Sequence, residues 1–271
     1  MKPARTPKEA VDKRAKLERC LRPGFAAEPR GAGQPLPSES LLTALQERLK
    51  EYGTLYDWLV VCCSTVLSSR RYRAAVKTLL RTYGEDSVVL NLGSGPHHFE
   101  GRSDFINVDV SSYNTVDLVA DAASLPMLNA CADLAVLEAV LEHVPDPVKV
   151  VAECRRVLKP GGRLFIFVPF MQPGHQAPSD YYRWNSAGVE KLLDGWTIED
   201  RGVGAGPTSG VLWMLTEWLA LVLSCGWKKL HDLWILVLTP LFAPLKCLDL
   251  VLERLPQAEI AASGFYAVAR K

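Results

Sequence analysis

The chain has 271 residues, a formal net charge of +1 at pH 7 and seven cysteines. That length holds one sizeable α/β domain with additions, and the near-neutral balance gives no electrostatic footprint for nucleic acid, so no nucleic-acid partner is expected. The cysteines form no CxxC pair, and Cys62 and Cys63 sit in an apolar run, which points to buried thiols in a reducing, cytoplasmic compartment rather than a disulfide framework.

The first residues carry Lys2, Arg5, Lys8, Lys13, Arg14 and Lys16 with acids between them and no apolar core of signal-peptide length, so export is not expected. Residues 1–37 become rich in Pro, Gly and Ala, as in Gly31-Ala32-Gly33-Gln34-Pro35. Such a composition buries too little apolar area to offset the entropy of ordering it, and the expectation is a disordered tail ahead of a domain over 38–271. Residues 38–84 read as a helical cover. Ser38-Glu39-Ser40 opens a pattern with Leu41, Leu42, Leu45 and Leu49 on one face, followed by an apolar segment from Leu55 to Leu67 and a basic helix around Arg70 to Leu80.

Residues 85–205 alternate strand-like and helix-like segments, the order of a parallel sheet with crossover helices. Val88 to Leu92, Asp104 to Val108, Val116 to Ala120, Ala132 to Leu137 and Arg163 to Val168 read as strands, with Trp196 to Arg201 and Phe265 to Ala269 as the last two. Before the fifth strand, Asp146 can cap a helix whose first turn holds Pro147 and whose buried stripe is Val150, Val151, Cys154, Val157 and Leu158. Pro160-Gly161-Gly162 stops that helix, and a further helix spans Ser186 to Leu193.

Val88-Val89-Leu90-Asn91-Leu92-Gly93-Ser94-Gly95-Pro96 sets a glycine turn directly after a buried strand. A ligand can approach the backbone closely there, and a following helix N-terminus offers free amides. Asp109 ends the second strand, where a carboxylate can accept both hydroxyls of a ribose, and Asp121 follows the third in Ala120-Asp121-Ala122-Ala123. Strand-end aspartates also cap loops, and each of these two admits that reading.

The run Ala132-Asp133-Leu134-Ala135-Val136-Leu137-Glu138-Ala139-Val140-Leu141-Glu142-His143-Val144-Pro145-Asp146-Pro147, continuing from Glu153 to Gly162, resembles the class I S-adenosylmethionine-dependent methyltransferases of the small-molecule, ubiquinone-biosynthesis-like type 11 family. The resemblance covers roughly 88–201. It implies a Rossmann-like seven-stranded α/β sheet with helices on both faces and S-adenosyl-L-methionine as cofactor. It further implies that Asn91, Gly93, Ser94 and Gly95 border the methionine part, Asp109 holds the ribose, Asp121 and Ala122 border the adenine, and Leu137 and Glu138 line the sulfonium side. The chain departs from the family at Asn91, where an acidic residue usually stands, and at His97, where a third glycine is frequent. Asn keeps an acceptor but lacks the charge.

Methyl transfer is an in-line displacement at a cationic sulfonium, so the protein must align the acceptor and, where needed, deprotonate it. His143 and His175 are the candidate bases. His143 can instead buttress its loop. His175 lies in the polar, aromatic run from Pro169 to Trp184, where an imidazole suits proton removal at neutral pH or is simply a loop histidine. Tyr182 can touch an acceptor, whereas Asp180 and Arg183 read better as loop fasteners. No metal site is expected.

Residues 206–258 form an apolar helical insertion before the last strand, which lies within 259–271. Val211 to Cys225 is apolar almost all round, Leu233 to Leu245 is similar, and Gly226-Trp227-Lys228-Lys229-Leu230-His231 links them. A helix with no polar face must be covered by protein or lipid. Each run is short of the roughly 20 residues that span a bilayer. The hairpin therefore dips into one leaflet, as a peripheral contact at the inner membrane surface over 209–250, or forms a buried lid or dimer surface. The expected function is methyl transfer to a small-molecule or lipid-linked acceptor, with sugars included. The alternatives are a degenerate cofactor-binding scaffold or subunit, and a methyltransferase acting on protein or RNA.

Overall fold

Val89–Leu92 forms strand β1 with all four side chains buried, as befits a central strand of a sheet covered on both faces. The computed structural model describes residues 7–25, 63–175 and 179–271. Strands β2 (Ile106–Asp109), β3 (Leu118–Val119), β4 (Ala132–Glu138), β5 (Leu158–Pro169), β6 (Thr197–Ala205) and β7 (Gly264–Arg270) join β1 in one seven-stranded sheet of order β3-β2-β1-β4-β5-β7-β6. The first five run parallel, and β7 is antiparallel to both its neighbours. This is the expected Rossmann-like sheet. Its strand order reverses between β1 and β4, and at such a point the carboxyl ends of the strands open a crevice to ligands.

Alternation along the strands divides the core in two. Leu90, Leu92, Ile106, Val108, Leu137 and Ile166 face one side. There they meet α1 (Pro7–Cys20), α3 (Pro147–Val157) and α4 (Ser186–Leu192) through Leu17, Cys20, Val150, Cys154 and Val189. Val89, Leu134, Val136, Phe165 and Tyr266 face the other, beneath Tyr72, Ala75, Val76 and Leu79 of α2 (Arg70–Thr82). Helix α3 begins as its residues dictate. The Asp146 carboxylate accepts from the Lys149 amide at 3.0 Å, and Pro147 occupies the first turn. It ends at Val157 because Leu158 already pairs with Ala132, so Pro160-Gly161-Gly162 lies inside β5 rather than at the helix stop.

Residues 7–21 differ from the expected tail. Leu17, Cys20 and Leu21 of this short helical segment are buried, Leu21 bridges to Met127, and Lys13 pairs with Asp117 while donating to the Ser103 carbonyl at 3.1 Å. Three apolar anchors and a buried ion pair offset the ordering entropy that composition alone made prohibitive. The helices read over Ser38–Leu49 and most of Leu55–Leu67 lie outside the described residues.

The insertion is helical. Helix α5 (Pro207–Ser224) packs against α6 (Lys228–Phe242), and a 3-10 segment (Ala243–Leu248) leads to α7 (Asp249–Leu252). Gly206 at the N-cap of α5 has no side chain to cap with. The buried Asp249 does this from far downstream in the chain, accepting from the Thr208 amide at 2.7 Å, the Ser209 amide at 2.9 Å and the Ser209 hydroxyl at 2.7 Å. A distant carboxylate thus satisfies helix-terminal donors that would otherwise lie buried and unpaired.

Candidate active site at the carboxyl edge of the sheet

The turn after β1 is built from glycine conformations. Gly93 has φ +65, and a Cβ there would lie 2.6 Å from a Val140 methyl, so no other residue fits. Gly95 also takes a positive φ, with open space where its side chain would be. The Gly95 amide donates to Asp109 Oδ2 at 2.8 Å, and Oδ1 of the same carboxylate accepts from the Ser111 amide at 2.8 Å. Asp109 therefore ties the β1 and β2 turns together, and each oxygen keeps a further acceptor site. Ser94 lies in the same turn, half-buried.

Asn91 is buried, and its amide nitrogen donates to Asn107 Oδ1 at 3.0 Å. Asn107, fully buried, donates in turn to the Thr115 carbonyl at 3.0 Å and lies 2.8 Å from His98 Nδ1. The residue that replaces the family's usual acid is thus one link of an amide network bracing the His97-His98 turn. At the next strand end, exposed Asp121 accepts from the Ala123 amide at 2.8 Å, the loop-capping arrangement, while Ala122 is buried in the core.

Across the crevice, Leu137 and Glu138 part company. Leu137 is fully buried inside the sheet, whereas Glu138 is open to solvent at the end of β4. The Tyr72 hydroxyl of α2 donates to Glu138 Oε1 in a very short contact. Glu138 reaches solvent yet is surrounded by protein, as on the wall of a cleft. That surrounding pushes its carboxyl above the ordinary range against the lowering effect of Tyr72, and nearby Glu100 adds to the rise. Burial, then the Glu138 charge, pushes the Tyr72 phenol up as well. The neighbouring Ala139 takes φ +54, a left-handed conformation that costs an alanine roughly 1–2 kcal/mol.

Farther along the same edge, Glu142 and His143 of a 3-10 turn after β4 meet His175 from the loop after β5. The Glu142 side chain is completely buried, and His143 Nε2 and His175 Nε2 each lie 3.8 Å from its Oε1. The rings of the two histidines meet edge to face at 5.2 Å, and Trp213 of α5 stacks on His175 at 5.6 Å. The Glu142 carboxylate, beyond hydrogen-bond reach but facing it, pushes the His175 imidazole up, against burial. Asp180 and Arg183 fasten the loop. Their side chains form a double ion pair, Asp180 accepts from the His175 amide at 2.7 Å, and Arg183 donates to the Pro173 carbonyl at 2.7 Å. The guanidinium holds the Asp180 carboxyl down to about 2. Tyr182 is a fastener too, donating to the Pro145 carbonyl at 2.9 Å.

Residues 97–166 match the family model described as a methyltransferase domain. Over 80 residues the chain is 49% identical to the ubiquinone/menaquinone biosynthesis C-methyltransferase UbiE of Acidiphilium cryptum, which covers 30% of this chain and 27% of that protein. Over 97 residues it is 34% identical to a "Probable S-adenosylmethionine-dependent methyltransferase" of Mycolicibacterium smegmatis, covering 32% of this chain and 38% of the relative. The chain is similar to methyltransferase domains over about a quarter of its length. Its matches span well under half the length of these relatives. Among solved structures, the 1,6-didemethyltoxoflavin-N1-methyltransferase of Burkholderia thailandensis, with bound S-adenosylhomocysteine, aligns over 92% of this chain and 96% of its own at 18% identity and a TM-score of 0.44.

The family match bears out the resemblance first drawn from residues 132–162. The structure gathers Gly93, Ser94, Gly95, Asp109 and Glu138 around the crevice, and His143 and His175 around Glu142. Leu137 and Ala122 are core residues. Sequence reasoning missed Tyr72 as a partner of Glu138, since its helix read only as a basic, amphipathic cover. It also missed the meeting of Glu142 with His175, for which the 32 intervening positions hold no local signal.

Proposed function

We propose that this chain transfers a methyl group from S-adenosyl-L-methionine to a small-molecule acceptor, the methyl donor lying in the crevice between the ends of β1 and β4. The observation that carries this reading is the pairing of the Gly93–Gly95 turn with Asp109, because the carboxylate that organises the turn keeps outward acceptor sites for a ribose diol. Glu138 would face the donor from the opposite wall, and Asn91 would contribute an acceptor but no charge. The acceptor would enter beside Glu142, His143 and His175, where an imidazole can take its proton.

The finer proposal is a lipid-linked acceptor met at a membrane surface. Trp218, Leu221, Leu233 and Leu241 of α5 and α6 are half exposed or more, and Trp227 at the hairpin tip is 74% exposed beside Lys228 and Lys229. Exposed apolar helix faces with Trp and Lys at their tip suit the boundary between acyl chains and headgroups.

Calorimetry with S-adenosylmethionine tests the first reading. Binding is expected, and Asp109→Ala should abolish it; no binding at millimolar donor would favour a degenerate scaffold. Incubation with labelled donor and fractionated lipid, polar and protein extracts then shows which class takes up methyl groups. Sedimentation with anionic liposomes tests the membrane contact, which is lost if wild type and Trp218→Ser/Leu221→Ser pellet equally little.

A further inference from the structure

The geometry points to a divalent transition-metal site, zinc-like in preference, formed by Glu142, His143 Nε2 and His175 Nε2. One ligand atom from each residue lies within 4.8 Å of the others, the only such His/Cys/Asp/Glu group among the described residues. Both Nε2 atoms stand 3.8 Å from Glu142 Oε1. Ligands around a tetrahedral zinc with bonds near 2.0–2.1 Å sit roughly 3.3 Å apart, so each glutamate–histidine edge needs a closure of ~0.5 Å, while the edge between the two imidazoles lies within 4.8 Å.

Hydrogen-bonding roles carry the argument. His143 Nδ1 lies 2.6 Å from the Ser179 carbonyl oxygen, so its proton belongs on Nδ1 and its Nε2 offers a lone pair. His175 Nδ1 lies 3.1 Å from the Pro173 carbonyl oxygen. Arg183 Nη2, 3.4 Å from the same nitrogen, already donates its two hydrogens to Pro173 O and Asp180 Oδ2, each at 2.7 Å, so His175 Nδ1 is also the protonated nitrogen. A metal-ligating histidine characteristically has its second nitrogen bound to a carbonyl in this way.

Glu142 supplies the independent observation. Its side chain has no exposed surface, and among the described residues neither carboxylate oxygen receives a hydrogen bond. A buried carboxylate without a donor costs several kcal/mol, about the most expensive group a core can hold, unless a cation faces it. A metal ion there would meet two imidazole Nε2 atoms and one carboxylate, a borderline N2O donor set that suits zinc, cobalt, nickel or iron better than magnesium or calcium. With three protein ligands a position stays open for an exogenous oxygen, as at catalytic zinc. The ion would then hold an acceptor oxygen beside the crevice and favour its deprotonation in place of an imidazole base, since both Nε2 atoms would be ligated; that role rests on the methyl-transfer reading, whereas binding of the ion does not.

The test is cobalt and zinc binding by the full chain without methyl donor. Dialysed wild type should take up one Co2+ with the visible absorption of a low-symmetry site, Zn2+ should displace it, and Zn2+ should raise the thermal midpoint. Glu142→Gln and His175→Ala should each weaken uptake by about a hundredfold or more, since even outer-shell losses cost 10–100-fold. His231→Ala, which removes the unrelated His231–Glu217 pair, should leave it unchanged. Glu142→Gln is nearly isosteric and removes an unpaired charge, so it should fold even where a histidine variant does not, and it decides the matter alone. Absence of stoichiometric Co2+ in wild type, or uptake that survives Glu142→Gln, overturns the proposal. Donor binding measured on the same samples stays separate, because a metal-free protein that still binds S-adenosylmethionine refutes the metal site alone.

Discussion

Tyr72 hands its phenolic hydrogen to Glu138 across the mouth of the crevice, joining the helix before the sheet to the end of β4. The Tyr72 ring packs edge-on against Phe167 and Tyr266, at 5.6 and 5.9 Å, so Tyr72→Phe keeps the packing and deletes only the donor. This variant should fold with near-wild-type stability and bind S-adenosylmethionine about two- to tenfold more weakly, the worth of one hydrogen bond at about 0.5–1.5 kcal/mol. Titration calorimetry reads this directly. Equal affinities would remove Tyr72 from the site.

Glu138 carries a signed pH dependence. Its carboxyl is raised in the folded protein, so folding favours the protonated form. The resulting stability is complete below the ordinary glutamate value of about 4.3 and fades as pH climbs through the raised value. Glu138→Gln cannot titrate. Urea midpoints of the wild type should therefore fall relative to Glu138→Gln as pH rises from about 4 toward neutrality, whereas parallel curves would contradict the shift.

Asp180 behaves in the opposite sense. Held down to about 2 by Arg183, it contributes stability that is complete above the ordinary aspartate value of about 3.9 and is lost as pH falls through about 2. Asp180→Asn should cost about 1.5–3 kcal/mol at neutral pH, the range for hydrogen bonds to a charged group. The gap should narrow in strong acid. The same variant should loosen the His175 loop, visible as faster amide exchange at His175, whose N–H bonds to Asp180.

Asp249→Ala should destabilise the protein by about 2–3 kcal/mol, combining loss of a helix cap with loss of charged hydrogen bonds to Thr208 and Ser209. Thermal unfolding would show this as a lower midpoint, with α5 the first helix to lose exchange protection. An unchanged midpoint would mean that water replaces the cap.

Much of this arrangement was legible because it is local. Asp146 and Pro147 announce the start of α3 by short-range chemistry, and Gly93 and Asp109 follow strands whose apolar runs are unmistakable. The burial of α1 was not legible, since its three anchors count only once Met127 and Asp117 are in place to receive them. Likewise Asp249 reads as an ordinary helix residue, and its capping role exists only because the chain returns to the N-terminus of α5. Glu142 resembles any acid of a loop until the His175 turn closes over it.

Ala205 and Gly264, the last residue of β6 and the first of β7, are cross-strand partners, and the Ser263 amide donates to the Ala205 carbonyl at 2.9 Å. The 58 positions between them leave and rejoin the sheet through a single doorway. Topologically the insertion is a cassette on a β-hairpin, and closure entropy grows only slowly with the length of what the doorway encloses. Lineages could exchange the whole cassette, or protein engineers replace it with a tight turn, without altering the strand order. The crevice at β1 and β4 would be inherited intact, while the roof that Trp213 lays over His175 would be written anew with each exchange.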